Sequence, residues 1–123
     1  MSHASVVERE LHIADRPILT GYVEAVGTTP DRQRRGYGSA VMRAATAYIR
    51  ATFDLGALGT GEHAFYERLG WQTWRGPSFV RTPNGPRPTV SEDGFILVLL
   101  TPTSPDVDLG GSISCDERPG DDW

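Results

Sequence analysis

The chain has 123 residues and a formal net charge of −4, with 38% hydrophobic and 23% charged residues. This length and composition are typical of one small globular domain with a single core, so residues 1–123 are expected to form one domain. The acidic balance argues against a dedicated binder of polyanions, and we expect neither nucleic acid nor a membrane surface as a partner.

The first part of the sequence predicts two antiparallel strands followed by a long helix. Apolar and charged residues alternate over 6–13, and a stretch rich in β-branched and aromatic residues follows a polar turn at 14–17. Pro30 and Asp31 are expected to end the second strand, and a helix is expected from about Arg35 or Gly36 to position 53. Its buried face is predicted from an apolar stripe at helical spacing: Val41, Met42, Ala45, Tyr48, Ile49 and Phe53.

The second part predicts a parallel crossover and a C-terminal half rich in loops. The apolar run 55–59 is expected to be a buried strand, and the order strand, helix, strand predicts a parallel crossover unit. Thr60 is expected to cap a short helix over 62–69 that ends at a left-handed Gly70. The remaining predictions are a strand at 71–75, a long loop at 76–94, a buried strand at 95–100, and a weakly structured acidic tail at 101–123 with one edge strand near 112–115.

Three further features bear on the compartment. The single cysteine, Cys115, cannot form an internal disulfide. Residues 1–16 interleave charged and apolar positions and so lack the pattern of a secretory signal. The longest apolar run, 95–100, is far shorter than the ~20 residues that span a bilayer. Together these features predict a cytoplasmic protein.

The glycine-rich turn "QRRGYG", residues 33–38, carries the most chemical information. Gly36 and Gly38 allow an anion to approach the backbone, the first N–H groups of a helix are free to bind it, and Arg34 and Arg35 add positive charge. A Walker A loop and a dinucleotide fingerprint both require residues that are absent here. The local physics leaves an anion site and a plain helix start as open alternatives, with a nucleic-acid patch less favoured because no wider basic face accompanies it.

Two motifs, in order, resemble the signatures of the GNAT N-acetyltransferase superfamily. The pattern Q-x-x-G-x-G between a strand and a helix is similar to its pyrophosphate loop. "HAFYERLGW", residues 63–71, is similar to its second signature, a short helix that carries a tyrosine and closes on Leu-Gly-aromatic. The segments "GYVEAVGTTPDRQRRGYG", "LGALGTGEHAFYERLGW", "GPSFVRTPNGPRPTVSEDG" and "CDERPGDDW" further resemble the aminoglycoside 2'-N-acetyltransferase family, from about Val6 to Trp123.

The resemblance implies an α+β fold of three layers, with a mixed, mostly antiparallel central sheet and flanking helices. It also implies acetyl-coenzyme A as a co-substrate and no metal. The coenzyme would lie where the second strand splays from the strand at 55–59. The residues that would hold it are Val26, Gly27 and Thr28, where we expect a β-bulge, and Gln33, Arg34, Arg35, Gly36, Tyr37, Gly38 and Ser39.

Acetyl transfer from a thioester to an amine requires a deprotonated amine and a protonated leaving thiolate. By resemblance, Glu24 takes the ammonium proton, directly or through water, and Tyr66 protonates the thiolate. A phenol with a reference pKa of ~10 is protonated at neutral pH, as that role requires. From the residues alone, an exposed strand glutamate and a core aromatic are the alternatives.

Aminoglycosides are polycations, so the acceptor side of the site should collect carboxylates. By resemblance, the substrate-binding residues are Glu24, Ala25, Gly59, Ser91, Glu92, Asp121 and Trp123. Composition alone would instead make the acidic terminus a solubilising tail. Position 59 departs from the family, which usually has a serine there, and His3, His12 and His63 lack a metal-ligand constellation.

The resemblance covers only about two thirds of a family member. The strand, two helices and further strand that begin the family fold are missing, so we expect an N-terminally shortened fold, with an open sheet edge that would favour a homodimer. Three hypotheses follow: an aminoglycoside 2'-N-acetyltransferase of the antibiotic-resistance type working by direct attack in a ternary complex, a GNAT enzyme for another amine, and a non-catalytic remnant that binds coenzyme A or a partner.

Overall fold

The computed structural model of the protein describes residues 3–27 and 37–123. Their helices are α1 (Tyr37–Thr52), α2 (His63–Glu67) and a 3-10 turn (Val90–Glu92). Their strands are β1 (His3–Ile13), β2 (Arg16–Gly27), β3 (Leu55–Gly59), β4 (Gln72–Thr73), β5 (Ser78–Thr82), β6 (Gly85–Pro88), β7 (Ile96–Leu100) and β8 (Ile113–Asp116).

One mixed, mostly antiparallel sheet forms the centre, in the order β4-β7-β3-β2-β1-β8-β5-β6. The two parallel pairs are β2 with β3, which α1 connects as predicted, and β5 with β8. The register of β2 on β3 runs only from Thr20 opposite Leu55 to Tyr22 opposite Ala57, although both strands continue. The two strands therefore diverge beyond that point, as the family resemblance implies.

The β1–β2 hairpin contains a bulge close to the point where the strands diverge. Ser5 lies opposite Glu24, whereas His3 lies opposite Gly27, so β2 holds one more residue than β1 over this stretch. The extra residue falls between Glu24 and Gly27, at the start of the stretch 26–28 where the bulge was expected. A bulge bends its strand and leaves backbone groups unpaired.

The connection between β1 and β2 is tighter than the sequence suggested. Ala14 and Asp15 both have positive φ, 49° and 65°, and β2 begins at Arg16. Two consecutive left-handed residues match the right-handed twist of the flanking strands. The predicted turn at 14–17 is therefore too long, and Pro17 is a strand residue opposite His12, outside the stretch that pairs with β3.

The helix-side core fills the space between the sheet and the two helices. It contains Val23, Met42, Ile49, Phe53, Leu58, Tyr66, Trp71, Leu97 and Leu99. Tyr48 of the predicted stripe is 53% exposed, because the buried line on α1 runs through positions 42, 46 and 49 and continues to Phe53 just after the helix. Buried Thr46 extends that line, and its hydroxyl accepts a hydrogen bond of 3.0 Å from Trp71 Nε1.

The opposite core lies beneath the C-terminal part of the chain. It contains Leu11, Ile13, Ile18, Tyr22, Leu55, Ala57, Trp74, Val80, Ile96, Val98, Ile113 and Cys115, with Val107, Leu109 and Trp123 packed against it. Burial raises the pKa of the Cys115 thiol to about 11, so this cysteine is a core residue and not a reactive thiol.

The predicted loop at 76–94 is wrong, because β5 and β6 form a hairpin within it. Thr82 lies opposite Gly85, and Gly85 has a φ of +105°. Pro86 and Pro88 suggested a loop, yet β6 is the last strand of the sheet, and an edge strand tolerates residues without an N–H donor.

The predicted edge strand in a weakly structured tail is also wrong. β8 lies between β1 and β5, with Ile113 opposite Ile13 of β1 and Cys115 opposite Val80 of β5. Ile113 and Cys115 are fully buried while Asp116 is exposed, which is the alternation of a strand with one buried face. The neighbouring glycines, prolines and aspartates conceal this short pattern in the sequence.

Smaller differences concern the ends of α2 and β4. The helix runs over 63–67 and the strand over 72–73, both shorter than predicted. Thr60 Oγ1 accepts a hydrogen bond of 3.0 Å from the Glu62 N–H, but Glu62, and not Thr60, is the capping residue. Gly70 has a φ of +98°, which confirms its predicted left-handed conformation.

Candidate active site

A cavity of about 510 Å³ lies where β2 and β3 diverge. This volume is in the range of pockets that hold small organic molecules. Its lining consists of Tyr22, Val23, Glu24, Gly59, Arg118, Pro119, Asp121 and Trp123. The structure thus brings together four residues that the sequence assigned to the acceptor: Glu24, Gly59, Asp121 and Trp123.

Glu24 reaches the cavity because of its place in β2. Side chains of a strand alternate between faces, so Glu24 shares the face of Tyr22, and it is the last residue in regular register before the bulge. Its side chain is 31% exposed and forms an ion pair with Arg118, from Nη2 of the guanidinium to Oε1 of the carboxylate. The carboxylate therefore lies at the cavity wall with a cation of its own chain beside it.

Arg118 was not predicted as a site residue. Its Nε donates to the backbone carbonyl of Asp121 at 2.8 Å, and its backbone N–H donates to Asp122 Oδ1 at 3.1 Å. Its Cζ lies 5.5 Å from the centroid of the Tyr22 ring, within the range of a cation–π contact. In the sequence, Arg118 stands out only as the one arginine among the acidic residues of "CDERPGDDW". That position does not reveal that its partner is Glu24, 94 residues earlier in the chain.

Tyr22 was not predicted as a site residue either. It forms part of the cavity wall, and two arginines contact its ring. Arg9 Cζ lies 4.8 Å from its ring centroid, and Arg118 lies over the same ring. Burial raises the pKa of the Tyr22 phenol well above its usual range, and the two guanidinium groups offset this only in part. Tyr22 is therefore a protonated hydroxyl at neutral pH.

The segment 117–123, here called the terminal segment, is held by contacts at Asp122 and Trp123. Arg87 Nη2 donates to Asp122 Oδ2 at 3.0 Å, and Trp123 Nε1 donates to Thr89 Oγ1 at 3.2 Å. The Arg118 N–H, and secondarily Arg87, hold the pKa of the Asp122 carboxyl below its usual range. These contacts place Asp121 and Trp123 at the cavity, so the terminal segment is a wall of the site.

The other predicted acceptor residues lie elsewhere. Ser91 and Glu92 belong to the 3-10 turn and are not part of the cavity lining. Thr89, which precedes the turn, accepts a hydrogen bond from Trp123 of the cavity wall. Ala25 lies in the bulge of β2, next to Glu24.

Tyr66 lies in the helix-side core and not in the Glu24 cavity. Its ring packs edge-on against Phe65, with centroids 4.8 Å apart, and near Trp71 at 6.4 Å. Burial, and secondarily the nearby Glu62 carboxylate, raises the pKa of the Tyr66 phenol, which is therefore protonated at neutral pH. Val23 belongs to the same core and also lines the cavity, so the cavity extends to the gap between the diverging strands.

Comparisons with known proteins place this architecture in a family. The family model described as an acetyltransferase (GNAT) domain matches residues 1–74, more than half of the chain. The chain belongs to the GNAT acetyltransferase family.

Two known proteins are similar to this GNAT chain. An aminoglycoside 2'-N-acetyltransferase of Mycolicibacterium fortuitum is 37% identical over 127 residues, which cover 100% of this chain and 65% of that protein. The crystal structure of a GCN5-related N-acetyltransferase from Kribbella flavida aligns with a TM-score of 0.56 and 22% identity, over 62% of this chain and 19% of its own. The second likeness concerns the fold alone, and this chain spans less than two thirds of the first relative's length.

The segments predicted to hold the coenzyme are described in part. Val26 and Gly27 lie at the end of β2, at and just after the bulge, and Tyr37, Gly38 and Ser39 form the first turn of α1. That turn contains no acidic residue, so the partial positive charge of the helix N-terminus is not neutralised there and suits an anion. Thr28, Gln33, Arg34, Arg35 and Gly36 lie outside the described residues, as do Pro30 and Asp31.

Two features, a membrane-spanning helix and a metal-binding cluster, are absent from residues 3–27 and 37–123. None of the helices there has both the length and the apolar character needed to cross a lipid bilayer. No group of three or more His, Cys, Asp or Glu side chains in these ranges is arranged to hold a metal ion.

Proposed function

We propose that the protein transfers an acetyl group from acetyl-coenzyme A to the 2'-amine of an aminoglycoside, by direct attack in a ternary complex. The observation that carries this proposal is the convergence of Glu24, Gly59, Asp121 and Trp123 on one cavity where β2 and β3 diverge. The similarity to an aminoglycoside 2'-N-acetyltransferase supports this choice of acceptor.

The carboxylates of the cavity suit a cationic acceptor. Glu24 and Asp121 both line it, and each exposed or half-exposed pairing with an ammonium group contributes about 0–1 kcal/mol, so affinity requires several such contacts. The ion pair with Arg118 engages Glu24 Oε1. Because a carboxylate accepts hydrogen bonds at both oxygens, Oε2 can still receive a proton from the ammonium group or from a water molecule that relays it.

The coenzyme is proposed to lie at the gap between the strands, bound by the backbone at the bulge of β2 and by the first turn of α1. Bound acetyl-coenzyme A supplies the acetyl group as a thioester. The amine nitrogen forms the new bond to the carbonyl carbon while the carbon–sulfur bond breaks. Glu24 takes one proton from the ammonium group, which frees the nitrogen lone pair for attack. Tyr66 is proposed to give a proton to the departing sulfur, and the second proton that the nitrogen loses restores the phenol.

Release of coenzyme A thiol from acetyl-coenzyme A tests this function directly. The assay compares an aminoglycoside that carries a 2'-amine with one that has a hydroxyl at that position. We expect release with the amine only, and a loss of about 100-fold or more in kcat/KM in Glu24→Gln, the usual size of a general-base contribution. We also expect a smaller loss in Tyr66→Phe. The buried Cys115 thiol should not contribute to the signal of the folded protein.

Other outcomes would point to a different function. Release with other amines but not with the aminoglycoside would assign the protein to another acceptor. Binding of coenzyme A without release for any amine would show a non-catalytic protein. Equal release from the amine and hydroxyl compounds would contradict attack by the 2'-nitrogen.

A further inference from the structure

Arg118 joins the terminal segment to β2 at the cavity. Its guanidinium pairs with Glu24 of β2 through Nη2, and the Nε of the same group donates to the Asp121 carbonyl at 2.8 Å. Its backbone N–H donates to Asp122 Oδ1 at 3.1 Å. One side chain therefore connects the carboxylate on the strand with the residue that faces it across the cavity.

The guanidinium is restrained from a further direction by an aromatic ring. It lies over buried Tyr22 at 5.5 Å, and the Arg118 side chain is only 28% exposed. A guanidinium is planar and presents its donors in a fixed fork, so a contact with a ring face and two acceptors leaves it little freedom. The orientation of Glu24 Oε1 is thereby tied to that of the terminal segment.

We propose that Arg118 is a positioning residue that fixes the Glu24 carboxylate and the terminal segment relative to each other for the acetyl transfer. This proposal rests on the proposed function. Arginine stays protonated and has no acceptor atom, so Arg118 does not carry the proton itself. It acts through Glu24, by determining where the carboxylate meets the acceptor amine.

Loss of the Arg118–Glu24 ion pair should lower the rate of the chemical step more than loss of another contact that only holds the terminal segment in place. Without Arg118, the Glu24 side chain regains rotamer freedom, and the segment loses its hydrogen bond at the Asp121 carbonyl. Displacements of about 1 Å in a reacting group can cost on the order of 100-fold in rate. We therefore expect kcat to fall in an Arg118 variant, together with a rise in KM.

Three variants measured in the thiol-release assay separate positioning from simple anchoring. Arg118→Gln should lower kcat/KM about 10- to 100-fold, and Arg118→Lys should recover only part of the loss, because an ammonium lacks the planar fork. Arg87→Gln is the matched control, since it removes an arginine of β6 that binds Asp122 of the segment and leaves the ion pair of Glu24 in place. It should stay within about threefold of wild type, because Asp122 keeps its bond from the Arg118 N–H.

A double variant tests whether Arg118 acts through Glu24. In the Glu24→Gln background, Arg118→Gln should cause little further loss, because the group that it positions is already gone. Arg87→Gln should have the same small effect in both backgrounds. Additive losses for Arg118→Gln and Glu24→Gln would contradict the proposal, as would equal losses in Arg118→Gln and Arg87→Gln. An Arg118→Gln enzyme with unchanged or lower KM and full kcat would also overturn it, since Arg118 would then only compete with the acceptor for Glu24.

A measurement without turnover keeps the two proposals distinguishable. If the wild-type protein releases no thiol with any amine, the proposed function has failed. Hydrogen exchange of residues 117–123 then decides whether Arg118 connects the segment to Glu24. Exchange should accelerate in both Arg118→Gln and Glu24→Gln, more in Arg118→Gln because the bond to the Asp121 carbonyl is lost as well, and least in Arg87→Gln. Unchanged exchange in Glu24→Gln would show that the ion pair does not hold the segment, and would overturn the positioning role.

Discussion

At the scale of single residues, the ion pair between Glu24 and Arg118 limits how Glu24 can act as a base. A carboxylate already paired with Arg118 cannot be treated as a free base, because part of its lone-pair capacity is committed. An arriving ammonium group must share the carboxylate with the guanidinium or act through water. Glu24 was predicted from its place before the glycine-rich turn and by resemblance, whereas Arg118 and Tyr22 depend on contacts between distant segments that spacing does not encode.

A substitution at position 59 tests whether the cavity binds the acceptor. A Cβ at Gly59 would lie 3.7 Å from Tyr22 Oη and 3.9 Å from the Phe95 carbonyl oxygen, which are ordinary contact distances. Gly59→Ser should therefore fold normally and present a hydroxyl to the cavity. One additional hydrogen bond is worth about 0.5–1.5 kcal/mol, so the KM for the aminoglycoside should fall about two- to tenfold.

The control for this prediction is Gly61→Ser. A Cβ at Gly61 meets no atom within 4 Å, and Gly61 does not line the cavity. Steady-state kinetics of both variants, with the free energy of unfolding of each, provide the measurement. A higher KM in Gly59→Ser at unchanged stability would show that the acceptor does not approach position 59.

At the scale of elements, the close approach of α1 to the sheet is a main determinant of the packing. A Cβ at Gly21 would lie 2.6 Å from Phe53 Cδ2 and 3.1 Å from Ile49 Cγ1, so β2 has no room for a side chain on this face. The helix and the strands around it were predictable, because long periodic patterns report burial directly. β5, β6 and β8 were not, because their patterns are short and interrupted by Gly, Pro and Asp, and because pairing between distant segments decides their structure.

This packing predicts a destabilised Gly21→Ala variant. The added methyl group must displace the buried Phe53 ring, and overpacking of this kind typically costs about 1–3 kcal/mol in the free energy of unfolding. Gly61→Ala, which meets open space, should change that free energy by less than about 0.5 kcal/mol. Urea unfolding followed by circular dichroism measures both. Equal stability of the two variants would mean that α1 can move away from the sheet at little cost.

At the scale of the whole molecule, the attachment of the terminal segment should depend on pH. The pKa of Asp122 is lowered in the folded protein, chiefly by the Arg118 N–H and also by Arg87. A carboxyl with a lowered pKa in the folded state contributes stability that is present above its unfolded value of ~3.9 and is lost as the pH falls through the folded value. Wild-type protein should therefore lose more Tm than Asp122→Asn between pH 5 and pH 3.

Thermal melts of both proteins over pH 3–7 check this expectation. The Tm difference should favour wild type at pH 6 and narrow in acid. A difference that stays constant over this range would show that the Asp122 carboxylate contributes no pH-dependent stability, and that the terminal segment is held by its other contacts.

The position of β8 also determines when the cavity can form during folding. Arg9 of β1 donates through Nη2 to the carbonyl of Asp116 at the end of β8, across 107 positions of sequence. Pairings over such distances form late, because the loop they close must first be ordered. A ribosome that has completed the glycine-rich turn and α1 has made Glu24 but not yet Gly59, Asp121 or Trp123, the other cavity residues proposed to bind the acceptor. The coenzyme half of the proposed site is encoded early in the chain, and recognition of the acceptor waits for the residues after β8 to emerge and fold back onto β2.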